Sequence, residues 1–229
     1  MLKGVWLANE MPTKEKEIEN AFLEWQKENS IILSPRQAEA VKNLKYRISI
    51  VTGGPGTGKT TCLRAIMDVY HKVWPSEHIL LMAPTGLAAK RMAESTGMNS
   101  ATIHKACGLV PADNPSGFKA QGECRICGFV GIDEMSMVGE HLFAFAVDAV
   151  LNSPSTRIVL LGDTDQLAPV SRGDVLRDLI ECGVIKTVRL DVNYRQGSTS
   201  TITDASIKIR ENRAYSGMTR NLRFDDEFN

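Results

Sequence analysis

Eight consecutive residues, Gly53-Gly54-Pro55-Gly56-Thr57-Gly58-Lys59-Thr60, carry the most chemistry in the chain. They fit the pattern G-x-x-x-x-G-K-[ST], and the residue types explain what it does. Glycines let the backbone curl until successive N–H groups point into one concavity, which suits an anion. A helix opening there adds its positive dipole end. Lys59 would reach the β and γ phosphates of a nucleoside triphosphate, the Thr60 hydroxyl would hold Mg²⁺, and Thr61 ends the block. The expected cofactors are ATP and Mg²⁺.

Three more blocks fit the same site. Phe129-Val130-Gly131-Ile132 is an apolar run that ends in Asp133-Glu134. At the carboxyl edge of a strand, Asp133 would hold Mg²⁺, usually through water, and Glu134 would act as general base on the attacking water. Leu160-Leu161 leads into Gly162-Asp163-Thr164-Asp165-Gln166-Leu167, which places Gln166 to touch the γ-phosphate or that water. Asn193-Tyr194-Arg195-Gln196 follows another strand, and Arg195 would neutralise charge growing on the transferred phosphoryl group. Alone, an Asp-Glu pair is a solvated strand end and Arg195 a surface arginine; the shared order behind a phosphate loop changes the balance.

These blocks need a scaffold, and the hydropathy pattern supplies one. Strands are expected at residues 47–52, 78–83, 129–132, 157–161 and 187–190. Helices are expected at 60–74, 87–95, 139–151 and 174–181. Leu63, Ile66, Met67, Tyr70 and Val73 share one side of the first of these helices. The alternation implies βαβ units, and near-continuous apolar strands such as Ile158-Val159-Leu160-Leu161 imply a parallel sheet buried on both faces. Before it, residues 12–28 read as a helix with Ile18, Ala21, Phe22 and Trp25 on one face, more naturally packed on the domain than offered to a partner. Residues 112–123, rich in Pro, Gly, Asn and Asp, read as an exposed loop or hairpin, and 216–229 as a weakly patterned tail.

Composition sets limits. The 229 residues include 27 basic and 27 acidic side chains, so bulk charge gives no support to nucleic-acid binding, although a local basic stripe remains compatible. No apolar run approaches the ~20 residues of a membrane span and no secretory leader is evident, so a cytoplasmic protein without membrane contact is expected. Five cysteines, an odd number, do not form a secreted disulfide framework. Cys124 and Cys127 make one CxxC with only His104 and Cys107 near in sequence, so a zinc site is the less favoured reading.

The blocks in this order resemble superfamily 1 helicases, and most closely the RecD/TraA family, the alpha subunit of exonuclease V and its relatives. The resemblance runs from Ile31 to Arg213. Leu33 to Val41 resembles an adenine-reading Q motif in which Gln37 contacts the base. Gly53 to Thr61 is similar to motif I, Ala83 to Arg91 to motif Ia, Asp133 to Val138 to motif II, Gly162 to Gly173 to motif III and Leu190 to Gln196 to motif IV. Ala101 to Lys105 resembles a DNA-contacting block. The resemblance implies an α/β fold: a RecA-like P-loop NTPase whose parallel sheet carries helices on both faces, preceded by an N-terminal helix. It also implies ATP-driven translocation on single-stranded DNA, 5′ to 3′, in recombination or repair, with Thr85, Thr102 and His104 along the DNA path. The chemistry of those three is modest: two hydroxyls suited to phosphate and one imidazole suited to phosphate or a base.

The family pattern has a second RecA-like domain with motifs V and VI, and no such blocks occur in these residues. The expected organisation is an N-terminal helical segment (1–30), a RecA-like motor domain (31–215) and a tail (216–229) leading to that second domain. On this reading the 229 residues by themselves bind nucleotide weakly, hydrolyse it slowly and do not unwind duplex. Subunits of a nuclease–helicase complex are candidate partners, though no nuclease constellation is visible. A competing reading is a nucleotide-switched module that recruits a partner through the helix at 12–28. A nucleotide kinase or AAA-type ATPase is disfavoured by the Gln37 block upstream of the phosphate loop and by the Gly162–Gln166 block.

Overall fold

The computed structural model describes residues 14–113, 117–121, 128–150 and 155–194. Six parallel strands form the central sheet: β1 (Ile48–Gly53), β2 (Ile79–Ala83), β3 (Ser100–Thr102), β6 (Phe129–Ile132), β7 (Arg157–Gly162) and β8 (Lys186–Leu190). Their order is β3-β2-β6-β7-β1-β8. A separate antiparallel pair, β4 (Leu109–Pro111) with β5 (Phe118–Ala120), makes a small hairpin that begins just before the 112–123 region expected to be a loop or hairpin, with only β5 inside it. The helices are α1 (Glu15–Asn29), α2 (Pro35–Lys42), α3 (Lys59–Val73), α4 (Gly86–Thr96), α5 (Ile103–Ala106), α6 (Glu140–Val150) and α7 (Val175–Glu181).

The apolar strands divide their side chains between two cores, as a doubly covered sheet requires. Val51, Phe129, Val159 and Leu161 join residues of α1 to α4 in one cluster. Ile48, Ile50, Val130, Ile132, Ile158 and Leu160 join residues of α5 to α7 in the other. All five sequence-expected strands and the four following helices are present, with ends shifted by a residue or two. The sheet gains β3, a short edge strand paired only with β2, which the hydropathy pattern does not mark.

The N-terminal helix docks as its stripe implies. Ile18, Ala21, Phe22 and Trp25 are all buried, in the same cluster as Leu63, Ile66, Met67, Tyr70 and Val73 of α3. Trp25 Nε1 donates to Asp68 Oδ2 at 2.7 Å. The apolar face of α1 is therefore covered by the domain itself. The helix ends at Ser30, left-handed at φ 53°, and Leu33 N donates to Gln26 Oε1 at 3.0 Å, which turns the chain into α2.

Helix α2 arises from capping, since its sequence, PRQAEAVK, is largely polar. Pro35 stands at the first turn, Ser34 accepts from Gln37 N, and Gln37 Oε1 accepts from Ser34 N. This reciprocal box satisfies two amides that would otherwise lack partners.

Candidate nucleotide site

The phosphate loop, the acidic pair, Gln166 and Tyr194 lie where β1, β6, β7 and β8 end, the edge at which open parallel sheets bind ligands. Strand β1 runs directly into the glycine loop, and α3 begins at Lys59. Its N-cap, Gly58, sits at φ +83°, and Gly56 also has positive φ, 78°. A β-carbon on Gly58 would stand 2.5 Å from Gln37 Nε2, and one on Gly53 would stand 2.7 Å from the Leu190 carbonyl oxygen. Glycine is thus required both by conformation and by space. The loop is pinned by Thr57 Oγ1 donating to the Gly54 carbonyl at 2.8 Å. Lys59 Nζ folds back into the loop and donates to the carbonyls of Gly53 at 2.6 Å and Gly54 at 3.0 Å. No acidic side chain stands in the first turn of α3, so its N-terminal dipole is uncompensated there.

Two strands across, β6 delivers Asp133 and Glu134. Asp133 N donates to the Met82 carbonyl at 3.0 Å, and Asp133 Oδ1 accepts from Glu134 N at 2.8 Å. Burial pushes the Asp133 carboxyl above the usual carboxylate range; the Glu134 amide, followed by the charge of Lys59, pulls it back. Asp133 therefore lies within the field of the phosphate-loop lysine. Glu134 is left-handed at φ 55°, an uncommon state for a residue with a side chain, and it reverses the chain into a short 3₁₀ turn at Met135–Met137.

Strand β7, between β6 and β1, delivers the third loop. Asp163 is buried, its Oδ1 accepts from Asp165 N at 3.0 Å, and Gln166 N donates to the Asp163 carbonyl at 3.2 Å. Gln166 is exposed, and its Oε1 accepts from Ser136 Oγ at 3.2 Å. Strand β8 delivers the fourth: Tyr194 N donates to the Gly56 carbonyl at 2.8 Å. Arg195, Cys124 and Cys127 lie outside the described residues, as does the 216–229 tail.

Two residues of this site fall inside the sequence blocks without a role assigned to them there. Tyr194 exposes 57% of its surface, and its ring edge is 3.7 Å from the β-carbon position of Gly58, beside Gln37. An aromatic in a polar loop just past a strand is the only signal in the sequence. Ser136 is buried and reaches across to Gln166; it stands in the Asp133–Val138 block, but nothing in the sequence signals that contact.

The donor set fits Mg²⁺ and a triphosphate. Thr60 and Asp133 offer hard oxygens, and no cluster of three or more His, Cys, Asp or Glu occurs among the described residues. A cation that keeps most of its shell as water and phosphate oxygen matches so sparse a protein contribution.

The residues implied to touch DNA lie on the same edge, beyond β6. Ala83 of β2 pairs with Thr102 of β3, so Thr85 and Thr102 follow neighbouring strand ends. Each caps a helix: Thr85 Oγ1 accepts from Ala88 N and Thr102 Oγ1 from Lys105 N, both at 3.2 Å. His104 packs edge-on against Phe118 of the hairpin, with centroids 4.6 Å apart. No helix among the described residues is long and apolar enough to cross a membrane.

A glycine loop between β1 and α3, with an acidic pair at the end of β6 two strands across, defines a P-loop NTPase domain of RecA-like architecture. Residues 32–224 match the family model described as an AAA domain (AAA_30), and the chain belongs to that family. It is similar to the ATP-dependent RecD2 DNA helicase of Deinococcus radiodurans, 36% identical over 176 residues that cover 76% of this chain and 23% of that protein. It is also similar to the RecBCD enzyme subunit RecD of Mycolicibacterium smegmatis, 35% identical over 72% of this chain and 33% of that protein. The chain thus spans about a quarter to a third of these relatives. Among solved structures it resembles the Pif1 helicase from Candida albicans, with TM-score 0.58 and 26% identity over 79% of this chain and 44% of that one. A Bacteroides Pif1 bound to single-stranded DNA shares the fold, with TM-score 0.57 and 20% identity over 81% of this chain and 48% of that one.

Proposed function

We propose that residues 31–215 are the ATP-binding and hydrolysing motor domain of a DNA helicase that moves along single-stranded DNA. The observation that carries this is the placement of Lys59 inside the Gly53–Thr60 loop with Asp133 in its field and the Gln166 loop on the strand between them. In the reaction the loop amides and Lys59 bind the β and γ phosphates; Thr60 and Asp133 would hold Mg²⁺, which would supply charge neutralisation at the phosphoryl group. Glu134 takes a proton from the attacking water. Gln166 donates to the γ-phosphate, and Arg195 answers the growing negative charge. Gln37 reads the base edge, and the exposed ring of Tyr194 offers a stacking face beside it.

Thr85, Thr102 and His104 form the DNA-facing part. Both threonine oxygens accept from helix amides, so each hydroxyl hydrogen remains to donate to a phosphate oxygen. The likeness to RecD-type helicases supports 5′ to 3′ movement in recombination or repair, a cytoplasmic setting, and partnership with a second RecA-like domain and with subunits of a nuclease–helicase complex. A motor needs two lobes that close on nucleotide, so on this reading rapid hydrolysis and unwinding depend on the second RecA-like domain.

Single-turnover ATP hydrolysis, measured with and without single-stranded DNA, tests the reading. Stimulation by DNA, abolished in Lys59→Ala, is expected. Hydrolysis indifferent to DNA, together with nucleotide-dependent capture of a protein partner, would favour the switch module. Unchanged nucleotide affinity in Lys59→Ala would remove the site itself.

A further inference from the structure

Ser136 has no role in the chemistry above, yet its hydroxyl joins the loop of the acidic pair to the loop of Gln166. It is 5% exposed, in the 3₁₀ turn after Glu134. That turn is fixed by Met137 N donating to the Glu134 carbonyl at 2.9 Å and Val138 N to the Met135 carbonyl at 3.1 Å, with Met135 fully buried. The hydroxyl is therefore held on a rigid support. Gln166 is the opposite case: its main chain is tied by the bond to Asp163, but its side chain is exposed and has several torsions to fix.

A hydroxyl can donate or accept, and here the serine donates, so the bond as formed fixes which end of the carboxamide is left free. One end accepts and the other donates, whereas a γ-phosphate oxygen only accepts. A Gln166 side chain turned the wrong way would present its oxygen to the phosphate and repel it. Ser136 Oγ donating to Oε1 at 3.2 Å occupies the accepting end and leaves Nε2 as the end that faces outward. We propose that Ser136 is a positioning residue: it orients the Gln166 carboxamide so that the site favours a nucleoside triphosphate over a diphosphate. The proposal rests on the reading that Gly53–Thr60 seat the phosphates.

Equilibrium titration of the 229-residue chain with AMP-PNP and with ADP, each with Mg²⁺, tests it. In Ser136→Ala the affinity for AMP-PNP is expected to fall roughly three- to ten-fold, the scale of one side chain no longer held in place, while ADP affinity stays within about two-fold. Ser136→Thr keeps the hydroxyl and is expected to restore the preference. In a Gln166→Ala background, adding Ser136→Ala is expected to change nothing further, because the serine acts only through the glutamine. Should Ser136→Ala be unstable in a thermal melt, Ser136→Cys fills the same space with a weaker donor and is expected to show the same selective loss. An unchanged AMP-PNP to ADP ratio, equal loss of both nucleotides, or additive losses in the double variant would overturn the proposal. Retained affinity for both nucleotides in Lys59→Ala would instead sink the underlying reading, so the two failures are distinguishable.

Discussion

At the residue scale, glycines and one cysteine show how the site constrains its own sequence. Gly58 combines φ +83° with a neighbour, Gln37 Nε2, 2.5 Å from where a β-carbon would stand. Gly86, which opens α4, has nothing within 4 Å of the same position. Gly58→Ala is expected to cost about 1–3 kcal/mol and to abolish nucleotide binding. Gly86→Ala is expected to be neutral or stabilising by about 0.5 kcal/mol. Chemical denaturation of the two variants checks the contrast, and equal effects would contradict it. Cys62, fully buried in α3, has its thiol pushed up to about 12 by burial. The unfolded thiol ionises near its ordinary value of 9.0, so above that pH the unfolded state loses the proton first and stability falls as pH rises toward 12. The wild-type chain is expected to lose stability relative to Cys62→Ala between pH 8 and pH 10, read from denaturation midpoints at both. At pH 8 iodoacetamide should label exposed Cys182 and leave Cys62 unmodified in the folded chain.

At the element scale, α1 shows which forces hold a helix to the domain. Its charged face makes ion pairs to other elements: Glu15 with Lys45 at 2.7 Å, Glu19 with Lys42 at 3.0 Å and Glu28 with Lys72 at 2.7 Å. The glutamates expose more than half of their side chains and the lysines about a third to a half, so each pair contributes only about 0–1 kcal/mol. Trp25, 1% exposed and bonded to Asp68, outweighs them: Trp25→Ala is expected to cost about 3–5 kcal/mol. Replacing Glu15, Glu19 and Glu28 together by Gln should cost less than that and should reduce the salt dependence of the melting temperature. Calorimetry at low and high salt separates the two contributions, and a larger effect from the triple variant would reverse the ranking. The same contrast between apolar and polar signal explains what the sequence discloses. Strands β1, β6 and β7 and helix α3 carry unbroken or periodic apolar residues, so burial writes them plainly. Strand β3, Ser100-Ala101-Thr102, is short, has no apolar run and exists because β2 offers an edge. Helix α2 buries few apolar residues and is specified by its Ser34–Gln37 box, a capping signal rather than a periodic one. Motif spacing likewise marks Lys59, Asp133 and Gln166, whereas Ser136 and Tyr194 take their places from contacts between loops 30 or more residues apart.

At the scale of the whole molecule, the sheet separates ligand chemistry from structural support. Its carboxyl edge gathers the phosphate loop, the acidic pair, Gln166 and Tyr194, while the opposite edge holds a packed group around Arg157. Burial pulls the Arg157 guanidinium below its ordinary range; it lies 4.0 Å from the Trp74 ring centroid and donates through Nε to the Leu44 carbonyl at 2.8 Å. Tyr70 stacks on Trp74 at 4.8 Å and meets Phe129 at 5.1 Å. These groups are satisfied within the domain. Nucleotide should therefore stiffen one edge only. Hydrogen exchange with and without AMP-PNP and Mg²⁺ is expected to show added protection at residues 54–60, 133–137 and 163–166, whose amides lie in loops that the phosphates draw together. Residues 44–48, 74–79 and 155–158, at the amino ends of β1, β2 and β7, should exchange at unchanged rates. Protection spread evenly over both edges would mean that nucleotide binding is coupled to global stability rather than to closure of this site. Protection confined to the far edge would place the ligand elsewhere.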